Sequence, residues 1–568
     1  MRPDCFCTDV KLWTLIAPAA LLLAISAGSC VAVRGRTDAA VAETANGHPG
    51  PGAWQYTNPV IKGDWSDPGV VRVGEDYYSV RSTFGWQPGL AVAHSKDLVH
   101  WEYIGNGFTS FPSIAAGEVA GGIWGSEIIF NPNTNRFMIY ATLSGASAFE
   151  VFESAKPEGP YTELPGGLAA GGYDPGVFVD DDGRVYLVSS AGKVVELSKD
   201  GKSVVNPSVS SYAGWNEGPE LFKRAPYYYV TWSSNGTERG ADGIVNSARA
   251  KSLSGPWEPD PTNPVMRNLN NGTDPAHPFE GPQHSELIQT QKGEWFVSFH
   301  VWENSYGTLA REMCLEPVVW TADGWWRPKN GRKPSLSNAG PDLPYTPYQL
   351  RRSDDFASAT LGPQWFFHGA PDRPGQSWSL SDRPGFLRLP TQDGDVNGAT
   401  AARGIPMQRI DLKRFDAETA VSFDPRTGSE GAGLILHSSL AFNVTLSLSR
   451  APGGGNVIEL ATFTNAAKRM DGAGATRQVV AAVPFAGSSA HLKVSFDGKE
   501  IATFSFSGDG SNWQTIGTPI SVGLGGQADL SWRLQAWSGA TMGLFAVKRG
   551  ATADNHADFD SFTVTNRE

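Results

Sequence analysis

Residues 173–188 read Tyr-Asp-Pro-Gly-Val-Phe-Val-Asp-Asp-Asp-Gly-Arg-Val-Tyr-Leu-Val, and this stretch decides the fold. Asp174-Pro175-Gly176 is a chain-turning opening, Val177-Phe178-Val179 is a short β-prone run, and Asp182-Gly183 is a tight-turn signal before the second run, Val185 to Val188. The whole is a hairpin whose first strand begins at an acidic residue. The same design recurs on either side. Asp67-Pro68-Gly69-Val70 leads to Tyr77-Tyr78, and Trp124-Gly125-Ser126-Glu127 leads to Phe137. Glu217-Gly218-Pro219 leads to Tyr227, and Gly281-Pro282-Gln283-His284 leads to Trp295-Phe296. Counted from Asp67, Glu127, Asp174, Glu217 and His284, the first aromatic of the second run follows after 10, 10, 12, 10 and 11 residues.

Five such units between residues 53 and 345 predict a five-bladed β-propeller, because four-stranded sheets repeated about an axis carry this periodicity. The residues that open the units belong to innermost strands. Asp67, Asp174, Glu217 and His284 are therefore expected to meet in one central cavity. Pro344-Tyr345-Thr346-Pro347 reads as a linker. Residues 353–568 then alternate polar and apolar side chains, as in His491-Leu492-Lys493-Val494-Ser495-Phe496, which predicts a separate jelly-roll-like β-sandwich. No convincing amphipathic helix interrupts the pattern.

At the N-terminus, Arg2 and Lys11 precede an apolar run from Leu12 to Ala27, too short for a membrane span and suited to a signal peptide over residues 1–30. Residues 31–52 read as a linker. Ala27-Gly28-Ser29-Cys30 resembles a lipoprotein cleavage site, so Cys30 is a candidate lipid anchor and export is expected, either to the periplasm, to the outer membrane or to the medium. Cys5 and Cys7 would leave with the signal, and Cys314 alone would remain in the folded part, which excludes a metal–thiolate site. The formal charge of −12 argues against nucleic-acid binding. The 19 Trp suit flat sugar faces, though large β-proteins carry many aromatics in any case.

The acidic motifs WSDPGV (65–70), YDPGVFVDDDGRVYLV (173–188) and NEGPELFKRAPYYYV (216–230) resemble, in order, those of glycoside hydrolase family 43. The likeness extends to PGLAVAHSKDLVHWEYIG (88–105), GPQHSELIQTQKGEWF (281–296) and REMCLEPVVWTADGWW (311–326). The tail resembles the concanavalin-like domain found in many members, through DDF (354–356), SWSLSDRPGFLRL (377–389) and ADFDSF (557–562). The resemblance implies an inverting, exo-acting β-xylosidase or α-L-arabinofuranosidase of the kind that degrades xylan and related plant polysaccharides.

On that resemblance Asp67 is the general base, Glu217 the general acid, and Asp174 the residue that orients the acid and modulates its pKa. An inverting pair works at about 6.5–9.5 Å, which leaves room for the attacking water. Glu220 is the rival for the acid, but strand alternation turns it to the opposite side from Glu217. Arg311 resembles the family arginine that holds the base ionised and anchors substrate hydroxyls. His284 resembles a central histidine that touches a cation or water cluster. No cofactor is required, and a structural calcium is a candidate near His284 or at Asp354, Asp355, Asp558 and Asp560 in the sandwich. Phe84, Trp86, Trp124 and Trp215 are candidates for sugar contact. GIWGSEI (122–128) departs from the family phrase GIWAP by placing Gly125-Ser126 where Ala-Pro is usual. A fructan-cleaving propeller is excluded, since neither an Asn-Asp-Pro-Asn nor a Glu-Cys phrase occurs. The alternative is a catalytically weak or inactive glycan-binding lipoprotein of the same fold.

Overall fold

The computed structural model describes residues 54–108, 122–268, 273–368, 377–396, 404–439, 441–465, 475–523, 537–550 and 553–568. The signal, linker and Cys30 readings lie outside them. Among the described residues the secondary structure is strand, apart from one 3-10 turn at Gly307–Leu309. No helix there is long and apolar enough to cross a membrane.

Five antiparallel sheets form the blades, four of them four-stranded and the fourth blade five-stranded, with innermost strands Gly69–Val73, Ile123–Asn131, Gly176–Val179, Glu220–Arg224 and Phe279–Gln289. Each innermost strand contacts the next, and the fifth returns to the first, so the ring is closed. The third blade shows how the sequence builds one. Val179 pairs with Val185 across the acidic turn, Phe178 with Tyr186, and Gly183 takes a φ of +80°, which glycine adopts without a Cβ clash. The second strand, Val185–Ser189, is buried on both faces, as befits a strand packed between neighbouring blades.

Closure comes from a separate two-stranded ribbon. Gln55–Thr57 pairs antiparallel with Ser337–Ala339, next to the end of the fifth blade. Beside it Asn58, 2% exposed, donates to the carbonyls of Leu315 and Ser335 and accepts from the Leu315 amide. One amide side chain thus ties the first residues of the ring to its last blade.

Residues 353–568 form two stacked antiparallel sheets, one of six strands and one to which they supply seven of its eight. In the six-stranded sheet, Phe415–Ser422 buries Phe415, Ala417, Thr419 and Val421 and turns the alternate residues outward. The sandwich is not separate. Its eight-stranded sheet ends in Phe366–His368, and the last strand added to it is Trp86–Gln87 of the propeller. Phe367 pairs with Gln87 in that ladder. Trp86, 2% exposed, packs edge-on against Phe366 at 4.9 Å and against His437. The expectation that Trp86 stacks on sugar is therefore corrected: its ring is consumed by the seam between propeller and sandwich.

Because this seam is a shared sheet with a buried indole, wild-type protein should unfold in one calorimetric transition. Trp86→Ala should cost about 3–5 kcal/mol and split that transition into two.

Candidate active site

Three residues on or beside innermost strands have left-handed backbone: Asp67 (φ 52°) and Asp174 (φ 52°), each two residues before its strand, and His284 (φ 48°), at a register irregularity inside Phe279–Gln289. Such angles are uncommon outside glycine and mark places where packing over-determines the chain. Each lies at the mouth of its blade and contributes its side chain to one cavity. Gly218, beside Glu217, has φ 46°, and a Cβ there would lie 2.7 Å from His284 Nδ1, so the position requires glycine on both grounds.

The cavity has a volume of about 230 Å³ and is lined by Asp67, Asp174, Glu217, His284 and Arg311, with Phe84, Trp124, Tyr173, Trp537 and the 236–238 loop as walls. It is smaller than the ~300–1,000 Å³ usual for drug-sized ligands, which limits it to something near one sugar ring. A larger cavity of about 540 Å³ lies between residues 54–62, 99–103 and 345–352. Its only carboxylate is Asp411, already paired with Arg352, so the acid chemistry belongs to the smaller one.

At the centre, His284 Nε2 lies 3.4 Å from Asp67 Oδ1, 3.6 Å from Glu217 Oε1 and 3.7 Å from Asp174 Oδ2. Burial works against its imidazolium, but Asp67, Asp174 and Glu217 more than offset that and raise its pKa to about 9. Asp67 is 6% exposed and Arg311 2%. Arg311 donates Nη1 to Oδ1 at 2.7 Å and Nη2 to Oδ2 at 3.3 Å, and Ser82 Oγ donates to Oδ2 at 2.5 Å. Burial would favour a protonated Asp67, yet Arg311, then His284, hold it well below the usual carboxylate range. Asp174 goes the other way: burial, opposed by His284 and reinforced by Glu217 and Asp67, lifts it to about 6. Its Oδ2 accepts the Gly218 amide at 3.0 Å, which couples it to the backbone next to Glu217.

Not every expected residue lines the cavity. Phe84 and Trp124 do. Trp215, 1% exposed, is packed among Tyr212, Trp232 and Trp257 between blades, so the subsite expected of it is corrected to a core position. Glu220 turns away from the cavity, as alternation requires, toward Glu127 and Glu286. Burial and the repulsion of Glu286 raise the pKa of both Glu220 and Glu127, and burial takes Glu286 to about 8. Two of the sandwich carboxylates already have side-chain or backbone donors. Asp558 is held by Arg383 and Arg388, while Asp354 accepts from Trp365 Nε1 at 2.9 Å and from the Phe356 amide. Asp174, Glu217 and His284 have donor atoms within 4.8 Å of one another and could hold an ion. Two carboxylates and an imidazole fit a partly hydrated hard cation, although His284 cannot ligate while it carries its proton.

Other wall residues went unread in the sequence. Tyr173 opens the motif at 173–188, and Ser82 stands behind the wall as a donor to Asp67. Trp537 comes from the sandwich. Its carbonyl accepts Arg311 Nε at 3.0 Å, its ring stands edge-on to Trp124 at 5.6 Å, and its Nε1 donates to Glu238 at 3.4 Å.

This geometry agrees with comparison to known proteins. Residues 56–326 match the profile of glycosyl hydrolases family 43, and residues 353–565 match the β-xylosidase C-terminal concanavalin A-like domain. The non-reducing end α-L-arabinofuranosidase BoGH43B of Bacteroides ovatus is 32% identical over 67% of this chain and 74% of its own length. The chain belongs to glycosyl hydrolase family 43. A xylan 1,3-β-xylosidase of Vibrio sp is 28% identical over 89% of this chain and 98% of that protein. The crystal structure of the family 43 protein BlXynB from Bacillus licheniformis superposes with a TM-score of 0.79 at 30% identity, covering 90% of this chain and 99% of that one. The chain is thus a glycoside hydrolase whose substrate is carbohydrate.

The unusual Gly125 has a steric reason. A Cβ at that position would fall 2.0 Å from Asp174 Oδ1. Gly125→Ala should displace the Asp174 carboxylate and lower kcat at least ~10-fold while the protein stays folded, as checked by steady-state kinetics alongside circular dichroism.

Proposed function

We propose that this family 43 enzyme is an exported, exo-acting glycosidase that releases single xylose or arabinose units from plant cell-wall polysaccharides or oligosaccharides with inversion at the anomeric carbon. The observation that carries the reading is the approach of three carboxylates, each from a different blade, to one imidazole at 3.4–3.7 Å in a cavity of single-ring size. The names carried by the relatives support pentose as the sugar, and the wall formed by Trp537 and Glu238 supports attack at a chain end.

In this reaction Asp67, kept ionised by Arg311, removes a proton from a water that attacks the anomeric carbon. Glu217, at the more open edge with a side chain 24% exposed, gives its proton to the departing glycosidic oxygen. The general acid must therefore be protonated when the base is ionised. Asp174, once ionised, supplies negative charge that opposes loss of that proton and fixes the Gly218 amide beside it. Arg311 and the imidazolium of His284 balance the carboxylates, so the site is not overwhelmed by its own negative charge. Trp124 offers its ring to the sugar, with Phe84 packed into the wall between Arg311 and Trp537. Export rests on the basic residues and apolar run before residue 28. A lipid on Cys30 belongs to the same proposal, and mass spectrometry of the mature N-terminus tests it.

Aryl xylosides and arabinosides tested side by side should release free pentose. Proton NMR of the first turnover products should show the inverted anomer, and a retained anomer would overturn the mechanism. Asp67→Ala and Glu217→Ala should each lower kcat by orders of magnitude in folded protein. A folded protein that binds xylo-oligosaccharides and hydrolyses none of the panel would instead be a glycan-binding member of the family.

The charge relation gives a signed pH effect. Burial lifts the pKa of Asp174 to about 6, so its charge is present above that pH and lost below it. Asp174→Asn carries no charge at any pH, so a change of kcat near pH 6 seen in wild type should be absent from its profile, as read from rates between pH 4 and 9.

A further inference from the structure

The three left-handed residues share a feature beyond their backbone angle. Each has its amide capped by a side chain from the second strand of the preceding blade. Asp174 N–H donates to Thr142 Oγ1 at 3.0 Å, and His284 N–H donates to Ser233 Oγ at 2.8 Å. Asp67 N–H donates to His300 Nδ1 at 3.1 Å. The three acceptors occupy corresponding places. Thr142 pairs with Trp124, the Ser233 amide donates to the Glu217 carbonyl, and His300 pairs with Gln283, so each lies opposite the opening of its own blade and reaches the opening of the next. Where the other two blades use a hydroxyl, the blade before Asp67 uses an imidazole.

We propose that His300 is a positioning residue for the reaction: as a neutral acceptor on the Asp67 amide, it fixes the left-handed backbone from which the base reaches water and Arg311. The inference rests on Asp67 being the base. Pro68 has no N–H, so the Asp67 amide is the one backbone donor across the Asp-Pro step, and no neighbouring amide can replace it. His300 is fully buried, in a strand paired on both sides. Burial and Arg311 push its pKa to about 3, which leaves the ring neutral. The tautomer follows from the contact. Nδ1 also lies 3.3 Å from Asp67 Oδ1, but the amide contact at 3.1 Å is the shorter and a proton on Nδ1 would point at the amide hydrogen, so the ring carries its proton on Nε2, which has no hydrogen-bond partner among the described residues. A buried donor left unpaired is a cost, and it is borne on the side away from Asp67 while the acceptor faces the Asp67 amide. His300 also stacks on His284, with ring centres 5.2 Å apart and planes at 27°, so it packs behind the central imidazole as well.

The other blades supply the substitution that tests this. His300→Ser and His300→Ala leave similar space, but serine retains the hydroxyl acceptor that Ser233 uses for the corresponding cap. His300→Ala should lower kcat ~10²-fold with KM changed less than ~3-fold, and His300→Ser should recover ~10-fold or more of that loss. Hydrogen–deuterium exchange over residues 65–72 should be faster in His300→Ala than in wild type and slow again in His300→Ser. Should the small side chains prevent folding, His300→Asn places its oxygen near Nδ1 whereas His300→Gln places it near Nε2, and the Asn variant should be the active one. Equal kcat for the Ser and Ala variants, unchanged exchange in the Ala variant, or a Gln variant as active as Asn would each overturn the proposal. The exchange result does not depend on the assignment of the base. Full activity in Asp67→Ala would refute that assignment while leaving the amide contact intact.

Discussion

Arg311 and Asp67 form an ion pair almost wholly out of water, at 2% and 6% exposure, and the rest of the site is arranged around it. Two charges lose several kcal/mol of hydration each on burial, and removing one partner of such a pair typically costs about 3–5 kcal/mol. The pair persists because every strong hydrogen-bonding direction is used. Both carboxylate oxygens accept from the guanidinium, Ser82 adds a donor to Oδ2, and the third guanidinium direction, Nε, meets the Trp537 carbonyl. The last partner is the informative one. It belongs to the sandwich, so the arginine that keeps Asp67 ionised is complete only when the two parts are docked. The shared sheet through Trp86–Gln87 is what makes that docking rigid. A flexible tether would let a 3.0 Å contact come and go, and the charge state of Asp67 with it.

Backbone geometry is the second constraint. A propeller brings its innermost strands near one axis, but an ordinary extended residue at a strand opening gives no guarantee that its side chain points into the axial cavity. A left-handed residue changes the direction of the chain there. Asp67, Asp174 and His284 all adopt it, and none is glycine, so the surrounding packing must cover the strain. The glycines next to these positions serve a different need. Gly125 and Gly218 leave room for the Asp174 carboxylate and the His284 ring, at places where any side chain would collide.

The openings were legible because Asp-Pro-Gly and Glu-Gly-Pro are both turn chemistry and unit markers, and five regular offsets specify a ring more securely than any one of them specifies a role. Asp67, Asp174, Glu217 and His284 were found that way, and Arg311 through the likeness of 311–326 to the family motif. Trp86 and Trp215 misled for a physical reason. An aromatic close to a catalytic motif can face the cavity or the gap between layers, and a two-residue strand such as Trp86–Gln87 has too little alternation to choose. The ladder it forms with residues near 366 is a pairing across some 280 positions, set by how two β-layers dock, which no local pattern carries. Trp537 was hidden for the same reason. His300 lies in Trp295-Phe296-Val297-Ser298-Phe299-His300-Val301-Trp302, a run that reads as core because it is core, and only the neighbouring blade reveals the polar contact.

The two stacked histidines show how far environment, rather than residue type, decides chemistry here. Their rings lie 5.2 Å apart, both in surroundings that disfavour a charge. His284 faces three carboxylates and its pKa rises to about 9, whereas His300 has Arg311 nearby and falls to about 3. Two adjacent imidazoliums would repel each other as well as Arg311, so charge on one ring favours neutrality in the other. The division matches position. The charged ring stands among the acids, where a positive charge lets several carboxylates share a small dry space. The neutral ring stands behind the proposed base, where a lone pair is needed and a second proton would eject the amide it holds. Exchanging the two charge states would leave the carboxylates uncompensated and the Asp67 backbone unsupported at once, so the order of the stack is dictated by the charges on either side of it.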